Sequence, residues 1–348
     1  MSRLHMTRRP RKCVHIGKGR RRTEREASTR YLELIIPRCR DLGEENVDQA
    51  SSLRKIVRNK AESLQRQGAE LSGATSAPNT CPRVIAVTSG KGGVGKTNVV
   101  GNLALTMADM GRKVLILDAD LGLANIDIIL GVHPHFNIGH VLSGEKELKD
   151  IIVEGPSGVR IIPAGSGFVN LTHLTDGQKL SLLSEFEAFE DDFDYFLIDT
   201  GAGISTNVTY FNLAADECII IVTPEPTSVT DAYAMIKVMS TQHGEKHFKL
   251  LLNMVRDESE AKAVFLNLIQ AADRFLSGVV LEYCGYLPRD EKVPAAVRQQ
   301  KPFVALYPQA PSSRKIRRLA RQLEENPRRF DANGNIKFFV KRYMELRG

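Results

Sequence analysis

Gly90-Lys91-Gly92-Gly93-Val94-Gly95-Lys96-Thr97 is the stretch of this sequence from which the fold follows. Gly90, Gly95, Lys96 and Thr97 satisfy G-x-x-x-x-G-K-[ST], the pattern of a phosphate-binding loop. Small residues let successive backbone N–H groups turn inward around a phosphate. In such a loop Lys96 neutralises the β/γ-phosphates of ATP, and the Thr97 hydroxyl holds Mg²⁺. Gly92, Gly93, Val94 and Asn98 complete the expected cradle. The flanks agree with the motif. Val84 to Val87 is an apolar run that reads as the strand leading in, and Asn98 to Met110 reads as the helix leading out. That helix presents its positive end to the phosphates.

An ATP site of this kind needs carboxylates at strand ends. Val114 to Leu117, a continuous apolar run suited to a buried parallel strand, ends in Asp118-Ala119-Asp120. Alternation puts Asp118 and Asp120 on one face, where both can address one site. Tyr195 to Ile198 ends in Asp199-Thr200-Gly201-Ala202-Gly203. Cys218 to Val222 runs into Thr223-Pro224-Glu225-Pro226, and Lys249 to Leu252 meets Asn253. Val279 to Tyr283 leads to Gly285-Tyr286-Leu287-Pro288-Arg289-Asp290. Strands alternating with helical patterns predict an α/β fold with a doubly wound, mostly parallel sheet of the P-loop NTPase type. Crossovers in such a sheet are right-handed, and the site lies at the carboxyl ends of the strands.

Lys91, a second lysine near the start of the loop, narrows the reading. With it the loop resembles the deviant Walker A loop of the MinD/ParA ATPases, and the likeness runs over about residues 83–325. The resemblance implies that Lys91 reaches across a homodimer interface to the partner's nucleotide, so that ATP both joins the subunits and is consumed there. A solvated loop lysine is the plain alternative. The resemblance further implies that Asp118 lies near Mg²⁺, that Asp120 positions the attacking water, and that Asp199 is a Walker B aspartate before a glycine hinge. By the same likeness Asn253 reads the adenine edge, and Pro288 and Asp290 belong to a late nucleotide-binding loop. The residue after the adenine-reading Asn is often Arg in this family, and here it is Met254.

Charge and cysteines bound the rest. The net charge of +7 is concentrated at the start, where residues 1–40 hold 13 Lys/Arg against three acids. The remainder holds 35 against 38, so the body is not a basic nucleic-acid binder by composition. Residues 1–45 read as a basic, disordered leader. Five cysteines (Cys13, Cys39, Cys81, Cys218 and Cys284) form no C-x-x-C pair, which argues against disulfides, structural zinc and a metal cluster. A reduced, cytoplasmic compartment fits, and no apolar run approaches the length of a spanning helix.

Two appendages point to partners. Residues 46–66 read as a helix with Asn46 at its start and a narrow apolar stripe of Ala50, Leu53, Val57, Ala61 and Leu64. The Gly/Ser/Ala/Pro-rich stretch 67–82 reads as a linker, so the helix is tethered to the core. Asp48-Gln49-Ala50-Ser51-Ser52-Leu53-Arg54 matches the D-Q-A-x-x-L-R activator motif of the FlhG/FleN flagellar MinD-like ATPases. In that family the motif stimulates FlhF, a signal-recognition-particle-type GTPase, and Gln49 is the candidate polar group. A helix that folds back on the core is the alternative. In 334–347, Ile336, Phe339, Val340 and Tyr343 follow i, i+3, i+4, i+7, flanked by Lys337, Lys341, Arg342 and Arg347. A short basic amphipathic helix with aromatics suits an anionic membrane surface. From Ser312 onward the chain holds 11 Lys/Arg against four acids.

Together these features predict an ATP-dependent dimerising switch that binds the membrane peripherally and regulates flagellar number or placement. Flagellar basal-body or regulatory proteins are further expected partners. A division-site MinD and a ParA-like DNA-partitioning ATPase share the fold, and a non-hydrolysing scaffold is the rival from another class. The near-neutral body argues against the DNA reading. Intact Lys96, Thr97, Asp118, Asp120 and Asp199 argue against the scaffold.

Overall fold

The computed structural model describes residues 82–120, 125–163, 185–186 and 192–326. The leader, the 46–66 helix with Gln49, the linker up to its last residue, and the 334–347 helix lie outside the described residues.

The core is an eight-stranded sheet in the order β3-β4-β2-β5-β1-β6-β7-β8. Its members are β1 (Arg83–Ser89), β2 (Val114–Ala119), β3 (Val153–Glu154), β4 (Arg160–Ile162), β5 (Tyr195–Ala202), β6 (Glu217–Val222), β7 (His247–Val255) and β8 (Val280–Pro288). All neighbours pair in parallel except β3 with β4. β1 is central because it is buried along its whole length, with β5 and β6 on either side. Its side chains divide by alternation. Ile85 and Val87 enter one core with α1 (Lys96–Asp109) and α10 (Pro311–Glu325). Val84 and Ala86 enter a second core, on the opposite face, with α5 (Thr206–Ala214). On that face β6 gives Ile220 and Val222 to a third cluster with α6 (Pro226–Gln242) and α7 (Glu258–Phe275). A strand covered on both faces needs apolar residues at every position, which is why these strands were legible as unbroken runs.

Between the main elements lie α2 (Ile126–Leu130), α3 (Ile138–Leu142), α4 (Leu148–Ile151), α8 (Lys292–Arg298) and α9 (Phe303–Leu306). α1 begins at Lys96, two residues before its sequence-based start at Asn98, because the left-handed Gly95 caps it. α10 carries Ile316, Leu319, Ala320 and Leu323 on its buried face.

At the N-terminal edge of the sheet four charged side chains are tied together. Arg83 donates to Glu217 and to the Leu323 carbonyl, and reaches the Asn326 carbonyl at 3.3 Å. Glu217 Oε2 lies 2.7 Å from Lys249 Nζ, an ion pair without hydrogen-bond geometry. Lys249 in turn lies 3.6 Å from Glu282. Arg83 is only 4% exposed, so its charge is tolerable because these partners surround it. The network ties β1, β6, β7 and β8 to the last turn of α10.

Cys218 and Cys284 are buried free thiols. Burial pushes both pKa values up, that of Cys284 to about 12, so neither is a ready nucleophile. Among the described residues no helix is long and apolar enough to cross a membrane.

Candidate functional site

The carboxyl ends of β1, β2, β5 and β7 converge on the loop Gly90–Gly95. Two of its glycines are required by close approach. A Cβ on Gly90 would sit 2.3 Å from the carbonyl carbon of Asp231 in α6. One on Gly95, at φ 93°, would sit 2.6 Å from Asn253 Nδ2. Gly92 and Gly93 face open space. No side chain caps the first turn of α1, so its N–H groups are left without a side-chain oxygen. Lys96, the first residue of α1, is 7% exposed beneath the loop. The result is a concave ring of donors with a buried cation below it, an arrangement able to hold a polyphosphate.

The carboxylates stand beside it. Asp118 and Asp199 are register partners across β2 and β5, and each is 1% exposed. Asp118 Oδ1 accepts from Asp120 N at 3.1 Å, and Oδ2 from Asn125 N and Ile126 N at 3.2 and 3.4 Å. Those bonds tie the start of α2 to the end of β2. Burial first, and then the charge of Asp199, push the Asp118 carboxyl far above the usual range. Burial also pushes Asp199 up, against the pull of the Thr97 hydroxyl and the Lys96 ammonium. Asp199 Oδ1 is buried with no hydrogen-bond partner. A pair of carboxyls under such strain, with an orphaned oxygen and a hydroxyl at hand, is an all-oxygen donor set that fits Mg²⁺. Among the described residues no three His, Cys, Asp or Glu side chains form a metal cage. A hard cation here would complete its shell with phosphate oxygens and water. Asp120 is half-buried, and its Oδ1 is 3.7 Å from where a Gly201 Cβ would stand. The first candidate acid therefore meets the glycine hinge after Asp199. Behind that hinge, Thr200 Oγ1 lies 2.9 Å from Thr88 Oγ1 and seats β5 on β1.

Three further positions have partners that sequence did not give. Lys91 Nζ donates to Glu225 Oε2 at 2.5 Å and to Thr227 Oγ1 at 2.9 Å, at the start of α6. The Thr223-Pro224-Glu225-Pro226 turn was visible in sequence, but nothing there tied it to Lys91. Asn253 Nδ2 donates to the Val94 carbonyl at 2.7 Å, and its Oδ1 accepts from Met254 N at 2.9 Å. One amide hydrogen of Asn253 remains for a base. Met254, left-handed at φ 58° and 43% exposed, stands over the loop beside Gly95. Asp290 Oδ1 accepts from Lys292 N at 3.0 Å and Oδ2 from Ser312 N at 3.1 Å, while the Pro288 carbonyl accepts from Ser312 Oγ at 3.2 Å. The late loop is thereby pinned to the first turn of α10, and the carboxylate of Asp290 is spent on its own backbone.

The chain is similar to known proteins. A family model described as an AAA domain matches residues 82–251. The chain is 43% identical over 263 residues to the antiactivator FleN of Pseudomonas aeruginosa, covering 76% of this chain and 94% of that protein. It is 36% identical to the flagellum site-determining protein YlxH of Helicobacter pylori, over 76% of this chain and 91% of that protein. Among solved structures, the septum site-determining protein MinD of Pyrococcus horikoshii, complexed with Mg-ADP, superposes with a TM-score of 0.57 at 27% identity. That match covers 70% of this chain and 96% of the other.

Proposed function

The chain belongs to the FlhG/FleN family of flagellar MinD-like ATPases, and on that premise we propose that it is an ATP-operated switch. It is monomeric with ADP, dimerises with ATP, and binds the membrane as a dimer. Flagellar number or placement is its output. The observation that carries the switch is the position of Lys91, whose ammonium is held at the start of α6 by Glu225 and Thr227. To serve a partner's nucleotide, that lysine must leave this contact, so dimerisation and its release are one event.

In this reading the Gly90–Thr97 backbone and Lys96 bind the β- and γ-phosphates. Thr97 and Asp199, with Asp118 behind them, would hold Mg²⁺, which would supply positive charge to neutralise the phosphates. Asp120 orients the attacking water at the hinge of Gly201. Asn253 and Met254 contact the base, and Pro288 and Asp290 fix the loop that closes its pocket. The 46–66 segment stimulates an FlhF-type GTPase through Gln49, and the 334–347 segment binds anionic lipid. Flagellar basal-body or regulatory proteins read the nucleotide state. The roles of the two flagellar relatives, antiactivator and site-determining protein, support that output.

Sizing chromatography with ATP tests the switch. Asp120→Ala should bind ATP, hydrolyse it about 10²–10⁴-fold more slowly, and accumulate as a dimer. Lys91→Ala should bind ATP and stay monomeric. An ATP-loaded Asp120→Ala protein that remains monomeric removes dimerisation from the cycle.

A further inference from the structure

α10 places its charges against the rules that the neighbouring α7 obeys. Its apolar stripe is Ile316, Leu319, Ala320 and Leu323, buried beside α1 and β8. Diametrically opposite, Arg314, Arg318 and Arg321 are exposed and lie four and three positions apart, so they stack in one row. No acid occurs from Pro311 to Leu323. Glu324, which follows, is bonded to Arg112. Like charges at this spacing repel one another, and cations in the first turn oppose the helix dipole. α7 shows the ordinary solution on the same domain. Glu258 and Glu260 occupy its first turn, Arg274 its last, and Glu258 pairs with Lys262 at 2.8 Å.

The flanking cations of α10 are occupied. Lys315 Nζ lies 3.9 Å from the Tyr286 ring centroid, and Arg317 donates to the Pro308 and Val304 carbonyls. Among the described residues no carboxylate forms an ion pair with Arg314, Arg318 or Arg321. Glu258 feels the charge of Arg318 but is already taken by Lys262. A body with a net negative balance has thus kept one helix face wholly positive, at a local cost in stability. A solvated face needs no such cost, since mixed signs serve it better.

We propose that the Arg314–Arg318–Arg321 row is a folded docking face for an anionic bilayer, acting beside the 334–347 helix. The proposal rests on the membrane reading above and extends it from the tail to the folded domain. The partner is a lipid surface because the row leads into further chain that is basic and carries the aromatic stripe of Phe339 and Tyr343. The tail supplies apolar insertion, and the row supplies headgroup contacts that orient the domain. Cations near such a surface contribute about fivefold in affinity each, so three contribute about a hundredfold, and salt screens all of it.

The test is co-sedimentation of the full chain with ATP, using phosphatidylglycerol-containing vesicles and pure phosphatidylcholine vesicles. The variants are the triple Arg314→Gln, Arg318→Gln, Arg321→Gln and the tail control Phe339→Glu. Glutamine is a good helix former at exposed positions, so the triple variant should keep its circular dichroism and basal ATPase. It should lose about a hundredfold in affinity for the anionic vesicles, show a shallower salt dependence, and keep the residual binding to neutral ones. Equal binding of parent and triple variant to anionic vesicles overturns the row and leaves the tail reading standing. A parent that binds neither vesicle overturns the membrane reading and the row with it. A triple variant that loses duplex DNA binding but keeps vesicle binding overturns the lipid assignment.

Discussion

The two ends of the central sheet bury charge in opposite ways. At the N-terminal edge, Arg83, Glu217, Lys249 and Glu282 alternate in sign and are joined by ion pairs. At the carboxyl edge, Asp118 and Asp199 lie side by side with one oxygen orphaned, and both carboxyls are pushed up by burial. Arg83 at one end and the two aspartates at the other are each 4% exposed or less. The difference is whether the chain supplies enough counter-charge, and at the carboxyl end the Lys96 ammonium does not offset the burial of Asp199. Where the chain does, the cluster is architecture. Where it does not, the chain is completed by something it must bind, and the missing charge has the sign and hardness of Mg²⁺.

The contrast is broken most severely at the closed end. Arg83→Met leaves Glu217 with Lys249 as its one counter-charge and removes the donor from the last turn of α10. Urea unfolding should show a loss of about 3–5 kcal/mol, with nucleotide affinity of the folded protein unchanged. An equal loss of affinity would mean that the two ends are not separable. At the open end, Asp199→Asn should do the reverse. ATP turnover should fall about 10²–10³-fold, the scale of losing one preorganised charged group, while the nucleotide-free protein melts no lower than the parent. If that variant is destabilised, the aspartate is held by contacts within the chain and is not waiting for a cation.

A pH series sharpens the same point. Without nucleotide, burial and the charge of Asp199 hold Asp118 up to about 8, and burial holds Asp199 up to about 7 despite Thr97 and Lys96. A raised carboxyl pKa contributes stability that is complete below the ordinary carboxylate range and is lost as pH rises through the raised value. The melting temperature of the free protein should therefore fall between about pH 4 and pH 8. Mg-nucleotide should flatten that slope, and so should Asp118→Asn. A free protein with a flat profile means that the pair is neutralised from within.

The smallest expected effect is at Lys91. Its contact with Glu225 is half-exposed, and such pairs contribute about 0.2–1 kcal/mol. Glu225→Gln should loosen it and tighten the ATP dimer a few-fold at most, read by analytical ultracentrifugation. A weaker dimer would show that Glu225 guides Lys91 to the partner.

The sheet was readable because parallel strands covered on both faces must be apolar throughout. Each of the runs starting at Val84, Val114, Tyr195, Cys218, Lys249 and Val279 marks a strand of the observed sheet. β3 and β4, of two and three residues, carry no periodicity and were missed. The phosphate loop and strand-end acids were legible because chemistry fixes both residue type and position. The partners of those residues were not. Glu225 is 134 positions from Lys91, and Val94 is 159 from Asn253. Such contacts exist only once the sheet has ordered its strands. Asp290 is a further case: its residue type and loop were legible, but the bonds of its oxygens to Lys292 N and Ser312 N were not.

Arg83 has one more consequence, a mechanical one. It grips the Leu323 and Asn326 carbonyls at the foot of α10 and is also the first residue of β1, whose other end opens into the phosphate loop. The foot of the last helix is thus riveted to the start of a seven-residue strand about 20 Å long, and the phosphate loop begins at the other end of that same strand.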